Sequence, residues 1–284
     1  MSKKVMILSD STADLGELFE KRGIKVVPLG VTLGGKTYKD GVDIKPADIY
    51  ANYEKTSELP KTSAVNIGEY SEIFKKYTEE GYEIVSFSIS SEMSSSFNNA
   101  RIAAADFEGV YTVDTKNLST GGGLLVLYAA DMADEGKGAA EIAEKCASMA
   151  EKVDASFVID SLEFLHKGGR CSSLAALGAN LFKLKPCIVV QDGKMSVAKK
   201  YRGAYAAVLR EYIADRIGDG SGIDKKRVFI THGGTDESIV RACVEQVKAY
   251  GIFDEIYATT AGCTISSHCG RDTLGVLFIR ENKI

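Results

Sequence analysis

The stretch EIVSFSISSEMSSSF, residues 83–97, joins an apolar, β-branched run to a turn rich in serine, and a helical pattern follows over 98–106. A strand that leads into a helix through such a turn points free backbone N–H groups and the positive end of the helix dipole at one place. That place is suited to an anion. One serine can serve as the helix N-cap, and the remaining hydroxyls predict contacts to a ligand.

On both sides of this stretch, short β-branched runs alternate with helical patterns. The predicted strands of the first half are 5–8, 25–29, 83–88, 110–113 and 155–159. The predicted helices are 15–21, 46–55, 67–80, 95–106, 122–133 and 139–152. This alternation predicts a mostly parallel sheet with helices on both faces, in which ligands lie at the carboxyl ends of the strands. The polar turn at 9–12 should therefore face the same crevice as the serine turn.

The pattern changes at about residue 160. An apolar helix is predicted over 171–184, and two β runs follow that are joined by Asp192-Gly193, a hairpin signal that parallel units rarely contain. Further predicted elements are helices at 203–217 and 237–250 and strands at 228–231, 255–259 and 275–279. We therefore expect a two-domain α/β protein, with an N-terminal α/β domain over 1–160 and a C-terminal α/β domain with antiparallel strands over 161–284.

Composition excludes several functional classes. The 284 residues carry a net charge of −4 without a basic block, so nucleic acid is not an expected partner. The apolar run near the N-terminus, 5–8, is far too short for a signal sequence or a membrane span. We therefore expect a cytoplasmic protein that does not span a membrane. The six cysteines include no C-x-x-C pair and are expected to be reduced thiols.

The candidate catalytic groups are few. No G-x-S-x-G turn is present, which weighs against a serine nucleophile, although His268 could approach Ser94 in space. A serine–histidine hydrolase of lipids or esters is therefore kept as the alternative function. Cys263, His268 and Cys269 offer soft metal ligands, but a fourth ligand is not evident, so no metal is expected. The residues at 262–270 are predicted to form a turn that faces a ligand.

Five ordered motifs resemble one family over the whole chain. They are SDSTADL at 9–15, KTS at 61–63, ISSEMSSSF at 89–97, KGGR at 167–170, and the segment 268–275. Together they resemble the DegV family, the fatty-acid-binding subunits also called FakB. The resemblance implies two α/β domains that enclose one long-chain fatty acid, with its carboxylate at the domain interface and no further cofactor.

The same resemblance implies that the protein is a carrier rather than a catalyst. In this family a separate ATP-dependent fatty acid kinase subunit converts the presented carboxylate to an acyl phosphate for phospholipid synthesis. Thr62 and Ser94 match the carboxylate-binding hydroxyls, Ser95 adds a hydroxyl beside them, and His268 matches a histidine at the same polar end. Arg170 matches a loop linked with kinase docking. Neutral donors of this kind suit a carboxylate, which has several acceptor lone pairs.

The acyl chain is the larger energetic contribution to such binding. At roughly 0.8 kcal/mol per buried CH₂, a sixteen-carbon tail is worth on the order of 12 kcal/mol before ordering costs. The ligand would need an apolar tunnel. The segment 174–182 is apolar nearly all round and contains small residues, which fits a channel wall and a core helix equally well.

Overall fold

The computed structural model describes residues 4–172 and 184–283. Its strands are β1 (Val5–Asp10), β2 (Lys25–Val27), β3 (Gly30–Leu33), β4 (Lys36–Lys39), β5 (Lys61–Ser63), β6 (Glu83–Ser88), β7 (Val110–Asp114), β8 (Val153–Ile159), β9 (Lys185–Gln191), β10 (Lys194–Tyr201), β11 (Ile223–His232), β12 (Glu255–Thr260) and β13 (Thr273–Arg280). Its α-helices are α1 (Leu18–Lys21), α2 (Pro46–Thr56), α3 (Ile67–Glu79), α4 (Ser96–Ala104), α5 (Ser119–Asp134), α6 (Ala139–Met149), α7 (Glu163–Gly168), α8 (Tyr205–Ile217), α9 (Glu237–Ala249) and α10 (Cys263–Cys269).

The N-terminal half contains the expected parallel sheet, in the order β2-β1-β6-β7. Alternate residues of β6 enter two different cores, because successive side chains of a strand point to opposite faces. Ile84 belongs to the core that holds Tyr70 and Phe74 of α3, whereas Val85 belongs to the core that holds Leu125 of α5. Helices therefore cover both faces, as the sequence predicts.

The C-terminal half contains a six-stranded mixed sheet in the order β10-β9-β8-β13-β11-β12. Its pairs are antiparallel except for β11 with β12. One face packs on α8 and α9, and the other shares a core with α5, which lies between the two sheets. Asp192 and Gly193 both adopt positive φ in the β9–β10 turn, as a two-residue hairpin requires. The fold is thus a two-domain α/β fold.

For one predicted strand, the predicted sheet is wrong. The run at 155–159 was assigned to the first, parallel sheet, but β8 pairs antiparallel with β9 and β13. The error has a physical reason: a fully buried apolar strand carries no sequence signal for the sheet in which it pairs. The change of sheet therefore falls between β7 and β8. The domain boundary near residue 160 stays a prediction, and the predicted helix at 171–184 lies almost wholly outside the described residues.

A small third sheet was not predicted. The strands β4, β3 and β5 form an antiparallel sheet of three- and four-residue segments. Gly34 and Gly35 form its β3–β4 turn, both with positive φ. These strands are rich in Lys and Thr and lack a continuous apolar run, so their pattern resembles a loop. The sheet matters for function because β5 carries Thr62.

Candidate functional site

The serine turn after β6 uses two of its hydroxyls to hold the fold together. Ser90 Oγ donates to the carbonyl of Gly193 in the β9–β10 turn at 2.7 Å, which joins the two halves of the chain. Ser91 Oγ donates to Asp114 Oδ2 at the end of β7 at 2.5 Å. The number of hydroxyls, which favoured a ligand site in the sequence, is therefore explained in part by these structural contacts.

The other three serines of this turn stand at the start of α4. Ser94 Oγ lies 3.1 Å from Ser96 Oγ and accepts from the Ser96 N–H at 3.2 Å. Ser96 is fully buried and Ser94 is half-buried. Ser95 is exposed, occupies the N-cap position, and makes no side-chain cap hydrogen bond. Ser94 and Ser95 are thus the two serines of this turn that are both accessible and outside the structural contacts to β7 and β10.

The turn after β1 meets the serine turn through a buried carboxylate. Asp10 accepts from the Thr12 N–H and hydroxyl through Oδ1 and from the Ile89 N–H through Oδ2, the last at 2.8 Å. Burial raises the pKa of Asp10 to about 6, against these hydrogen bonds, which lower it. The two turns are therefore in direct contact, but only the serine turn lines the cavity described below.

Two more buried carboxylates hold the start of α10. Asp40 accepts from the Cys263 and Thr264 N–H groups at 2.8 and 3.0 Å, and Asp14 accepts from the Gly262 N–H at 2.8 Å. The predicted turn at 262–270 is therefore wrong, because Cys263–Cys269 is a helix. The first N–H groups of α10 donate to carboxyl groups that are distant in sequence. Acidic side chains at a helix N-terminus also interact favourably with the helix dipole.

His268 lies on the last turn of α10 and contacts β5. Its Nε2 is 2.8 Å from Thr62 Oγ1, while its Nδ1 is buried and has no hydrogen-bond partner among the described residues. Burial, together with the smaller effect of the nearby positive charge of Arg170, lowers the pKa of His268 to about 4. The imidazole is therefore neutral at physiological pH.

A cavity of about 250 Å³ lies where these elements meet. Its polar lining includes every residue that the sequence analysis proposed for the ligand and its partner: Thr62, Ser94, Ser95, His268 and Arg170. Its apolar lining comes from both halves of the chain: Leu29, Ile89, Met93, Leu118, Met195 and Ile265. The structure thus gathers the proposed hydroxyls, the histidine and the arginine around one space with a polar side and an apolar side.

Arg170 lies at the exposed side of this cavity. It follows Gly169, which ends α7 with a positive φ, and its guanidinium donates to the Gly168 carbonyl at 2.8 Å. A side chain held in this way presents its remaining donors to solvent. The geometry fits a contact to an acidic or phosphorylated partner.

Other candidates from the sequence contribute less. In the part of the chain that the structure describes, no group of three or more His, Cys, Asp or Glu side chains is arranged to hold a metal ion. Cys263 Sγ instead donates to the Ile44 carbonyl at 3.3 Å. The apolar segment 174–182, proposed as a channel wall, lies outside the described residues. None of the described helices is both long enough and apolar enough to cross a bilayer.

Sequence reasoning missed the residues that position the site. Asp40 was not singled out, since an aspartate between the predicted strand at 25–29 and the predicted helix at 46–55 resembles a loop residue. Asp14 was quoted within the motif at 9–15 without a role. The available signal was the pair Asp10 and Asp14 around a strand end, because carboxylates there satisfy backbone N–H groups.

The chain is similar to known proteins over nearly its whole length. A family model described as "Uncharacterised protein, DegV family" matches residues 4–281. This chain belongs to the DegV family. A DegV domain-containing protein of Clostridium acetobutylicum is 32% identical over 98% of this chain and 99% of its own length.

Two solved DegV structures share the fold. A fatty-acid-binding DegV family protein of Thermus thermophilus superposes with a TM-score of 0.89 at 30% identity, covering 98% of this chain and 99% of that one. DegV of Bacillus subtilis, described as a fatty acid binding protein, superposes with a TM-score of 0.86 at 26% identity, covering 98% and 100%. The DegV resemblance drawn from the five sequence motifs is confirmed.

Proposed function

We propose that this DegV protein binds one long-chain fatty acid and presents its carboxylate to a separate ATP-dependent fatty acid kinase subunit, which forms the acyl phosphate. The carboxylate contacts the hydroxyls of Thr62 and Ser94, with Ser95 and His268 beside them. The observation that carries this proposal is the convergence of these groups on one cavity that also has an apolar lining.

The polar side of the cavity suits a carboxylate that must still react. Thr62, Ser94 and Ser95 are neutral hydroxyl donors, and His268 is neutral as well. Neutral donors hold an anion without an ion pair, so the carboxylate oxygens keep more of their nucleophilic character toward ATP than they would against a lysine. The apolar side supplies the burial that an acyl chain requires.

The carrier role accounts for the cavity's exposed side. A carboxylate held beside Ser95 and Arg170, both exposed, can be reached by a second protein. Since the kinase partner consumes ATP, we also propose that the protein works in the cytoplasm. It would need no metal or cofactor of its own.

The alternative, a serine–histidine hydrolase, fits the geometry less well. His268 Nε2 bonds Thr62 rather than Ser94. Its Nδ1 has no carboxylate partner among the described residues, whereas the orienting acid of a triad would lie there. The arrangement therefore supports a binding role over a nucleophilic one.

Extraction of the purified protein tests the function directly. We expect organic extraction and mass spectrometry to recover intact free fatty acid in near-equimolar amount, and we expect no turnover of ester substrates. Absence of lipid from the protein, with no uptake of added palmitate, would contradict the proposal. Steady ester hydrolysis that disappears in Ser94→Ala would favour the hydrolase.

A second assay tests the role of Arg170. Arg170→Ala should keep its fatty acid but lower the rate of acyl-phosphate formation by a DegV-partner kinase with ATP. Lys167→Ala is the matched control, since Lys167 is a neighbouring exposed cation already paired with Glu163 at 2.7 Å. Equal rates for the two variants would remove Arg170 from the partner surface.

A further inference from the structure

Three carboxyl groups are buried at the junction of the two halves of the chain without a cation beside them. Asp10, Asp14 and Asp40 are each 3% exposed or less. No ion pair in the described part of the chain includes any of the three. A Cβ built on Gly262 would lie 2.9 Å from Asp14 Oδ1 and 3.4 Å from Asp40 Oδ1, so these two carboxyls flank the same glycine. Burying three negative charges together is costly, and we expect one of the groups to keep its proton.

The hydrogen-bond partners show which carboxyl has room for that proton. Both oxygens of Asp10 accept from backbone N–H groups, and so do both oxygens of Asp40. Because a backbone N–H always donates, a proton on any of these oxygens would face another hydrogen.

Asp14 is bonded differently. Its Oδ1 accepts from the Gly262 N–H at 2.8 Å, but the partner of its Oδ2 among the described residues is a hydroxyl, Ser119 Oγ, at 2.6 Å. A hydroxyl accepts as well as donates. Ser119 also lines a second cavity of about 20 Å³, into which its own hydrogen can then point. Asp14 Oδ2 is therefore the oxygen that can carry a proton and donate it.

The titratable groups that face Asp14 add no positive charge. Asp10 lies on the same turn, Asp40 precedes α2, and Cys269 lies on α10. The first turn of α5, which contributes Ser119, has no charged side chain. Burial raises the pKa of Asp14, and the charges of Asp40 and Asp10 raise it further, against the two hydrogen bonds that lower it. Burial also raises the pKa of Cys269 to about 12, so this thiol is neutral.

We propose that Asp14 is a neutral carboxylic acid at physiological pH, and that the proton it donates to Ser119 holds together the turn after β1, the start of α5 and the start of α10. Leu118, next to Ser119, and Ile265 and His268 of α10 line the main cavity. Loss of the proton adds a negative charge beside the two other carboxyls and loosens the junction that positions this cavity wall. The junction is thus a pH-sensitive switch, which goes beyond the proposed function.

Two Asp→Asn substitutions separate a neutral from an ionised carboxyl. Asp14→Asn keeps an acceptor for the Gly262 N–H and directs an amide donor at Ser119, as the protonated acid does. Asp40→Asn is the matched comparison, since its amide must turn a donor toward a backbone N–H. At pH 7 we expect the unfolding equilibrium constant from urea denaturation to be no more than about threefold above wild type for Asp14→Asn and about tenfold or more above it for Asp40→Asn. Similar increases in the two variants would overturn the proposal.

The pH profile of the same two proteins, wild type and Asp14→Asn, counts the proton. Unfolded Asp14 ionises at about pH 4 while folded Asp14 keeps its proton, so the stability from this group falls as the pH rises. The wild-type unfolding constant divided by that of Asp14→Asn should therefore rise by up to about tenfold per pH unit between pH 5 and 7. The titrations of Asp10 and His268 occur in both proteins and cancel in this ratio. A constant ratio over the range would show that Asp14 is already ionised.

Infrared difference spectroscopy of the ligand-free protein detects the proton itself. Wild type at pH 7 should show the C=O stretch of a protonated carboxylic acid, and Asp14→Asn should lack it. Asp43→Asn is the control and should keep the band, because the Asp43 side chain is exposed. Absence of the band from the wild-type protein would refute the proposal.

The effect on the cavity is measured through lipid release, and this measurement alone rests on the proposed function. Raising the pH from 7 to 9 should accelerate release of a fluorescent fatty acid several-fold more from wild type than from Asp14→Asn. Equal acceleration in the two proteins would show that the proton does not control the cavity. If the infrared band and the pH profile are found but no fatty acid binds, the buried proton stands and the proposed function fails.

Discussion

Two turns at the carboxyl ends of neighbouring parallel strands differ in how their polar side chains are hydrogen-bonded. The turn after β1 is built on carboxyl groups, and Asp10 and Asp14 are hydrogen-bonded within the chain itself. The turn after β6 is built on serines, and Ser94 and Ser95 line the cavity with hydroxyls that are not fully buried. The first turn holds the fold and the second faces the cavity.

The comparison indicates how a polar cluster can be assigned to structure or to ligand. A buried acceptor must find its donors inside the protein, so a carboxylate at a strand end organises backbone N–H groups. A hydroxyl is both donor and acceptor, and it can bind a ligand when it lines a cavity and is not committed to a contact that holds the fold. Counting serines in a sequence cannot make that distinction.

The largest predicted change in stability comes from removing a buried carboxylate, Asp40. Asp40→Ala removes the acceptor for the Cys263 and Thr264 N–H groups and for the Ser11 hydroxyl. Leaving three buried donors unpaired should lower the free energy of unfolding by on the order of 3–5 kcal/mol, as measured by urea denaturation. Asp43→Ala, at an exposed neighbouring carboxylate, should cost about 1 kcal/mol or less. Equal losses would show that the buried Asp40 carboxylate does not hold the start of α10.

The next effect depends on pH and comes from His268. Its pKa is about 4 in the folded protein and about 6.5 when unfolded, so the unfolded state binds more protons between these values. Stability from this group is therefore present above about pH 6.5 and is lost as the pH falls toward 4. The wild-type unfolding free energy minus that of His268→Gln should rise by about 2–3 kcal/mol from pH 4 to 7.

Subtracting the two pH profiles isolates His268. The raised pKa of Asp10 has the opposite effect, since its stabilising contribution declines as the pH rises from about 4 to about 6. That contribution is common to both proteins and cancels. A flat difference between the profiles would mean that the imidazole is not held neutral by burial.

Removing the hydroxyls of Thr62 or Ser94 should weaken fatty acid binding rather than lower the stability of the fold. Thr62→Ala and Ser94→Ala should each lose on the order of 1–3 kcal/mol of fatty acid binding, because the carboxylate is left short of a donor. Their unfolding free energies without ligand should change by less than about 1 kcal/mol. Titration with a fluorescent fatty acid and urea denaturation measure the two quantities. Unchanged lipid affinity in both variants would remove the hydroxyls from the site.

The sequence predicted well where local pattern decides structure. The buried run at 83–88 and the Asp192-Gly193 hairpin were predicted because apolar runs and turn residues are local signals. The small sheet was missed because β4, at Lys36–Lys39, is short and polar and forms through pairing with β3. Its existence depends on tertiary contacts that no window of sequence contains.

The site shows the same division between local and distant information. The motifs identified Thr62, Ser94, Ser95, His268 and Arg170 as candidates, and all five line one cavity. The helix that carries His268 could not be predicted, since its first N–H groups bond Asp40, which lies 223 residues from Cys263. A seven-residue helix of this composition is not stable alone, and its stability comes from such contacts.

The smallest predicted effect separates two serines within the same turn. Ser90→Ala removes the hydrogen bond to the Gly193 carbonyl and should lower the free energy of unfolding by about 1 kcal/mol without changing fatty acid affinity once the protein is folded. Ser95→Ala removes an exposed hydroxyl without a cap hydrogen bond, so stability should stay within about 0.5 kcal/mol while affinity falls a few-fold. Because Ser90 bonds the Gly193 carbonyl whereas Ser95 is exposed and makes no side-chain cap hydrogen bond, a reversed outcome would show that these contacts do not separate structural from ligand-binding serines in this turn.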